Sequence, residues 1–472
     1  MKNKMKNTLL NLIFLLVINS CTTNTDTTNT DTANTDTTNN ECLCDPSIEI
    51  INISNIEGYT DCISYYPGDT IKIYASSKSK NFDVDFIEQS LQKKSLLKFT
   101  SSKGSVQNYN QCSFKDGCNW AITEKIIIPT NSNSGYKTIR LSNDYGQFQI
   151  PIIVKSRLKS NILCIASTNT WHAYNGWGGA SFYRYNFIDS CVNKPFYSSQ
   201  LSTCRPLEIV SDLTYQGHLF DAELGLIHWL EKKEYNFDVI TDKDLHDNPD
   251  IVNGYKIVFL NTHSEYWSEN GLHGLEEYIQ NQGSLCYLGA NGLYWKVTIN
   301  ENTIECQKEN GLHICDSTKG GLWRNLGRPE EKLIGVSYNR TGYNTYMPYV
   351  VINEEHWLYE KTNLKNGDLF GKSLNRKFAS GHETDKTTIN SPKNVVIIAR
   401  GLNQEAVDEL GKPGADKNGG ADMIFYKHPA GGYIFSSGSI TSGASMLIDT
   451  NMSTIMTNLL EKIEVKTHAN KK

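Results

Sequence analysis

The chain has 472 residues, of which 39% are apolar, including 25 Tyr, 16 Phe and 8 Trp, and a formal net charge of −5. That is enough apolar side chain for two or three domain cores, and the lack of basic bias argues against nucleic acid as a partner. Past the N-terminus no stretch approaches eighteen consecutive apolar residues, which excludes a membrane-spanning helix in the body.

Lys2, Lys4 and Lys6 precede a short apolar run, Leu9 to Ile18, broken only by Asn11. About ten apolar residues are too few to cross a ~30 Å hydrocarbon core, so the run reads as a signal peptide over 1–20. Ile18-Asn19-Ser20-Cys21 then resembles the lipobox of bacterial lipoproteins. The expectation is cleavage before Cys21, a lipid on Cys21 as membrane anchor, and a place in the bacterial cell envelope outside the cytoplasm. Residues 21–45 repeat Thr, Asn and Asp with almost no apolar side chain, so nothing in them repays ordering entropy. They read as a tether.

Residues 46–156 read as all-β. Ile48–Ile50 and Ile51–Ile53 alternate, and the turn signal Tyr66-Pro67-Gly68-Asp69 precedes the alternating Ile71–Tyr74. Further strand-like runs fall at Phe82–Phe86, Leu97–Thr100, Lys125–Ile128, Lys137–Ser142 and Phe148–Val154. Short strands with turn residues between them predict an immunoglobulin-like β-sandwich.

Residues 157–466 change to strand, helix, strand. Strands are expected at Asn161–Ala166, Phe237–Thr241, Tyr255–Asn261 and Ser284–Leu288. Asp221 and Ser268 are candidate caps of two helices, the second carrying Leu272, Leu275, Tyr278 and Ile279 on one face. This alternation predicts an open, largely parallel α/β sheet. Leu333–Tyr338, Val395–Ala399, Met423–Tyr426 and Tyr433–Ser436 are read as extra strands on it. The chain has twelve cysteines; Cys112/Cys118, Cys191/Cys204 and Cys306/Cys315 are candidate bridges, although spacing does not settle connectivity.

Ligands of such sheets bind outside the carboxyl ends of the strands. Three segments there, Ser167–Gly179, Thr262–Ser268 and Gly289–Trp295, carry aromatics beside His, Asn or Glu, which suggests an aromatic-lined pocket. No Gly-x-Ser-x-Gly elbow and no His-Glu-x-x-His helix occurs, and Cys286 sits mid-strand rather than at a nucleophile turn.

At these residues the chain resembles a known family, the large (beta) subunit of N,N-dimethylformamidase. The likeness lies in Asn169–Gly179, His263–Ser268, Gly289–Trp295, Gly320–Arg324, Gly327-Arg328-Pro329, Ala421–Phe425 and Gly431–Ile440. It implies a β-sandwich followed by a domain similar to the class I glutamine amidotransferase fold. It also implies a mononuclear Fe(3+) site of two tyrosines and a glutamate that hydrolyses a small amide. By motif these would be Tyr266, Tyr294 and Glu383, with His263, His172 and His382 as candidates for proton transfer or orientation. Hard ferric iron suits anionic oxygen ligands, and would act as a Lewis acid toward the amide carbonyl and lower the pKa of bound water. On residue type alone, Tyr266 and Tyr294 equally suit buried aromatics with partnered hydroxyls, Glu383 an exposed loop carboxylate, and the histidines packed side chains. A non-catalytic surface protein binding a carbohydrate or other small ligand is the alternative, and the sequence leaves homo-oligomer formation open.

Overall fold

A computed structural model describes residues 44–183, 199–211, 213–339, 342–343, 345–402 and 420–467. The expected signal peptide, Cys21 and nearly all of the tether lie outside the described residues. Residues from Cys44 onward form one compact unit. Among them no helix is long and apolar enough to cross a membrane.

The N-terminal part is two β-sheets face to face. One has five strands in the order Ser64–Tyr65, Gly146–Val154, Gly135–Asn143, Phe82–Glu88, Lys94–Ser101; the other has Ile56–Thr60, Thr70–Ser77 and Glu124–Ile127. Period-two alternation makes them: Ile71, Ile73 and Ala75 point inward while Lys72 and Tyr74 lie half-exposed between them. Ile71, Ile73, Phe86, Ile139, Leu141 and Ile152 fill the space between the sheets. The turn at Tyr66–Asp69 forms as expected, with Gly68 at φ +91° and the Asp69 carboxylate accepting from the Tyr66 amide at 2.8 Å.

The second part is built on a nine-stranded sheet. Its order is Phe237–Thr241, Ile162–Ala166, Ile257–Thr262, Ser284–Gly289, Tyr433–Ser436, Asp422–Lys427, Val396–Gly401, Tyr349–Val351 and Leu369–Phe370. The first five strands run parallel and the rest pair antiparallel. "Largely parallel" therefore holds for half of the sheet. The parallel strands are apolar on both faces because helices cover both. Cys164, Phe259 and Cys286 face the side of the Phe220–Lys232 and Thr450–Lys462 helices. Leu163, Ile165, Val258 and Leu260 face the side of Glu269–Gln280, whose Leu272, Leu275, Tyr278 and Ile279 are buried. Gly225 lets the first of these helices approach closely: a Cβ there would stand 2.6 Å from the Cα of Ala444.

Several local expectations need correction. Ile51 and Ile53 are exposed and form no strand, since the strand begins at Ile56. Leu333–Tyr338 is a helical turn, Glu331–Ile334, followed by a two-residue strand, Ser337–Tyr338. Ser268 does cap its helix, accepting from the Gly271 amide at 3.2 Å. Asp221 does not cap: Leu219 holds that position and the Asp221 carboxylate accepts from the Ser211 amide instead. Cys112 bonds Cys44, not Cys118, because the short pairing of Glu49–Ile50 with Tyr109–Asn110 brings those two Cα atoms to 5.3 Å. Cys118, Cys204, Cys306 and Cys315 are free thiols, and Cys191 lies outside the described residues.

The two parts share buried polar contacts. The Tyr136 hydroxyl donates to Glu223 at 2.6 Å, the Trp177 indole to Glu57 at 2.9 Å, and Lys155 pairs with Asp244 at 2.5 Å.

Candidate active centre at the strand ends

The strand Ile257–Thr262 ends in a break: Thr262 has φ +63°, a left-handed conformation unusual for a β-branched residue. Asn291 and Leu293 after the next strand, and His382 on the segment facing them, are also left-handed. Such backbone costs roughly 1–3 kcal/mol per residue and collects where chains are bent to aim side chains. The turn at Thr262 drives His263 and Glu265 inward, where both are almost fully buried.

Two carboxylates converge on one imidazole. His263 Nε2 lies 3.3 Å from Glu265 Oε2 and 3.3 Å from Glu383 Oε2. The Tyr183 hydroxyl donates to both oxygens of Glu265, at 2.9 and 3.0 Å, and accepts from the Tyr266 hydroxyl at 2.7 Å. The Asn291 side-chain amide reaches Glu265 at 3.4 Å. Lys308 Nζ stands 3.6 Å from the Tyr183 ring centroid. On the other side the His218 ring stacks on His382 at 5.1 Å and meets His263 edge-on at 5.3 Å, while Tyr346 contacts His382 Nδ1 at 3.1 Å.

The electrostatics follow from burial and this pairing. Burial alone would lower the pKa of His263, but Glu265 and then Glu383 outweigh it and hold it above the ordinary value. Burial raises Glu265, opposed in part by His263. For Glu383 the same burial is overcome by His263, leaving its carboxyl below the usual range. His382 is pushed down to about 4 by burial, against the pull of Glu383. Burial, then Glu265, pushes the Tyr266 hydroxyl well up.

Tyr266, Glu383, His263 and His382 thus meet in one cluster. Tyr294 lies beside it: its ring stands edge-on to Tyr338 at 5.7 Å and under the Arg324 guanidinium at 4.9 Å. Burial raises the Tyr338 hydroxyl, followed by Glu383 and Tyr294, so this ring neighbours both. His172 is elsewhere, lining a cavity with residues of the β-sheet part. The aromatics of the three segments divide: Trp295 stands half-buried beside Tyr294 at 5.4 Å, and three tryptophans lie away from the centre. Trp171 is fully buried and donates to Glu223, Trp177 packs against Trp120 and Tyr109, and Trp267 sits in the core. Tyrosines and histidines surround the centre instead.

The donor chemistry can be tested for a metal. Among the described residues no group of three or more His, Cys, Asp or Glu is disposed to hold one. Yet Asn291 Oδ1, His263 Nδ1 and the Thr384 and Ser264 hydroxyls are buried without a hydrogen-bond partner among the described residues. Bound water or an ion would satisfy such atoms. Glu383, Glu265 and Tyr266 supply the hard oxygen donors that suit ferric iron.

Glu265, Tyr183, Asn291, His218 and Lys308 were not singled out from sequence. Glu265 and Asn291 could have been, since each follows the end of a central parallel strand. His218 and Lys308 lie on irregular segments where no periodicity marks them.

The family model described as N,N-dimethylformamidase beta subunit-like, C-terminal, matches residues 88–452. The chain is 24% identical to the N,N-dimethylformamidase beta subunit of an Alcaligenes species, over 74% of this chain and 54% of that one. It is 23% identical to the subunit of the same name from Paracoccus aminophilus, over 73% and 54%. The chain spans about half the length of these curated relatives.

Proposed function

The chain belongs to the N,N-dimethylformamidase beta subunit-like family, and on that premise we propose that it hydrolyses the C–N bond of a small, non-peptide amide at the His263–Glu265–Glu383 centre. The observation that carries the reading is the convergence of two buried carboxylates on one imidazole beside a tyrosine hydroxyl, at the ends of parallel strands. We further propose that Tyr266, Tyr294 and Glu383 hold a ferric ion. The order of sheets and helices is read as an immunoglobulin-like sandwich followed by a class I glutamine amidotransferase-like body. A lipid on Cys21 is proposed to tether the chain to the cell envelope.

Bound iron would supply Lewis acidity toward the amide carbonyl. The rest falls to the chain. Water adds to the carbonyl carbon, the C–N bond breaks, and the amine leaves with a proton. Glu265 is set to take the proton of the attacking water and His263 Nε2, between Glu265 and Glu383, to deliver one to the leaving nitrogen, the two exchanging it across 3.3 Å. His382, stacked on His218, orients that end of the site and stays neutral near pH 7. Burial excludes bulk water, so the substrate must be small. His172 takes no part in this scheme.

Metal analysis together with a visible absorption spectrum tests it. A tyrosinate–iron charge-transfer band that is lost in Tyr266→Phe, with release of amine from a small amide, is the expected result. Colourless, iron-free protein after reconstitution would overturn the iron site. Saturable ligand binding without turnover would favour a carbohydrate- or small-ligand-binding role.

A further inference from the structure

A cavity of about 240 Å³ lies between the β-sheet part and the α/β body, apart from the His263 centre. Ile63 stands on its β side, Leu207, Ile299 and Ile304 on the other, and His172 in its wall. It exceeds the roughly 150 Å³ that accommodates benzene in an apolar cavity.

Its charged groups are already engaged. Lys155 pairs with Asp244 at 2.5 Å and Lys243 with Asp247 at 2.6 Å. Asp61 pairs with Lys72 at 3.2 Å and accepts from the Tyr65 hydroxyl at 2.8 Å. The Arg205 guanidinium donates to the carbonyls of Ser202, Ala180, Asn175 and Trp177. The acidic groups are thus closed in ion pairs, and Arg205 directs four N–H bonds to carbonyls of the protein rather than into the cavity. His172 differs: it is 6% exposed, and its Nδ1 is buried with no hydrogen-bond partner. Burial, then Arg205, pushes its imidazole down to about 3, so the ring is neutral near pH 7.

We propose that this cavity is a second ligand site, taking a small neutral molecule with an apolar, phenol-sized body and one hydroxyl held by the His172 imidazole. A neutral imidazole always offers one donor and one acceptor nitrogen, and a site built around a hydroxyl discriminates strongly against the analogue lacking it. The wall leads to the His263 centre. The Asn169 side chain donates to the Tyr266 carbonyl at 3.2 Å, and Thr170 Oγ1 accepts from the Glu265 amide at 3.1 Å. An occupant bears on the Thr168–Tyr174 helix that holds both. The proposal requires neither iron nor turnover at that centre.

Calorimetric titration of the full chain with phenol and with toluene, its near-isostere, tests it. Phenol is expected to bind at least tenfold more tightly than toluene, the ratio falling to about one in His172→Leu, with both lost in Ile304→Phe. Equal affinities for the two probes in the native protein, or phenol binding unchanged in Ile304→Phe, would overturn it. Should either variant misfold, hydrogen exchange on the native protein decides: phenol is expected to protect residues 59–64 and 168–174, and protection confined to other segments overturns the site.

Discussion

The interior of the β-sheet part and the strand-end centre of the α/β body are both buried, yet they treat polar groups in opposite ways. Between the two small sheets the filling is aliphatic and aromatic. Charged side chains on two inner strands of the larger sheet are paired: Arg140 with Asp85 at 2.7 Å, Lys137 with Glu88 at 2.9 Å. At the strand ends, His263 Nδ1, Asn291 Oδ1 and Thr384 Oγ1 are buried without partners, near backbone that is left-handed at Thr262, Asn291 and His382. One region has the composition that maximises stability. The other leaves buried polar atoms without protein partners.

Truncating the first region should therefore destabilise without altering chemistry. Phe86→Ala removes a fully buried ring and is expected to lower unfolding free energy by about 3–5 kcal/mol, leaving turnover per folded molecule unchanged. Denaturant titration beside an activity assay checks this, and a large change in turnover would erase the contrast. Glu383→Gln should do the reverse. Activity is expected to fall at least about 100-fold, at the upper end of what loss of a positioning partner costs, while the denaturation midpoint shifts far less than in Phe86→Ala, because the amide keeps the side chain's volume and His263 retains Glu265.

Glu223 joins the two regions, accepting from Tyr136 of the β part and Trp171 of the body. Burial raises its carboxyl to about 8. Because the folded state binds this proton more tightly than the unfolded one, its contribution is greatest at low pH. It declines as pH rises from the unfolded value near 4.5 to about 8, by at most about 1.4 kcal/mol per pH unit. Glu223→Gln should flatten that slope in unfolding measured across pH; an unaltered slope assigns it to other groups. The smallest effect is expected from Ser268→Ala, which deletes the helix cap just after the centre and should cost about 1 kcal/mol, read as a small drop in Tm.

Much of this architecture was legible in the chain. Alternation located Thr70–Ser77 and Gly146–Val154, and apolar runs located Phe237–Thr241 and Ser284–Gly289, because both periodicities report which face is buried. The resemblance to the family assigns Tyr266 through His-Ser-Glu-Tyr-Trp and Glu383 through Gly-His-Glu. Partnerships were not legible. Cys112 finds Cys44 across 68 residues, and Glu265 finds Tyr183 across 82, and no local pattern encodes such distances.

What the sequence alone determined is therefore local and periodic: the strands, the Ser268 cap, the polar repeat after Cys21 and the motif residues at strand ends. Only the tertiary structure decided that Trp171, Trp177 and Trp267 go to cores, that His172 lines a separate cavity, and that Glu265 and Glu383 share His263. The physical reason is that burial on a strand or helix repeats with the backbone's own period. The meeting of loop side chains is set by how whole layers pack, and leaves no period to read.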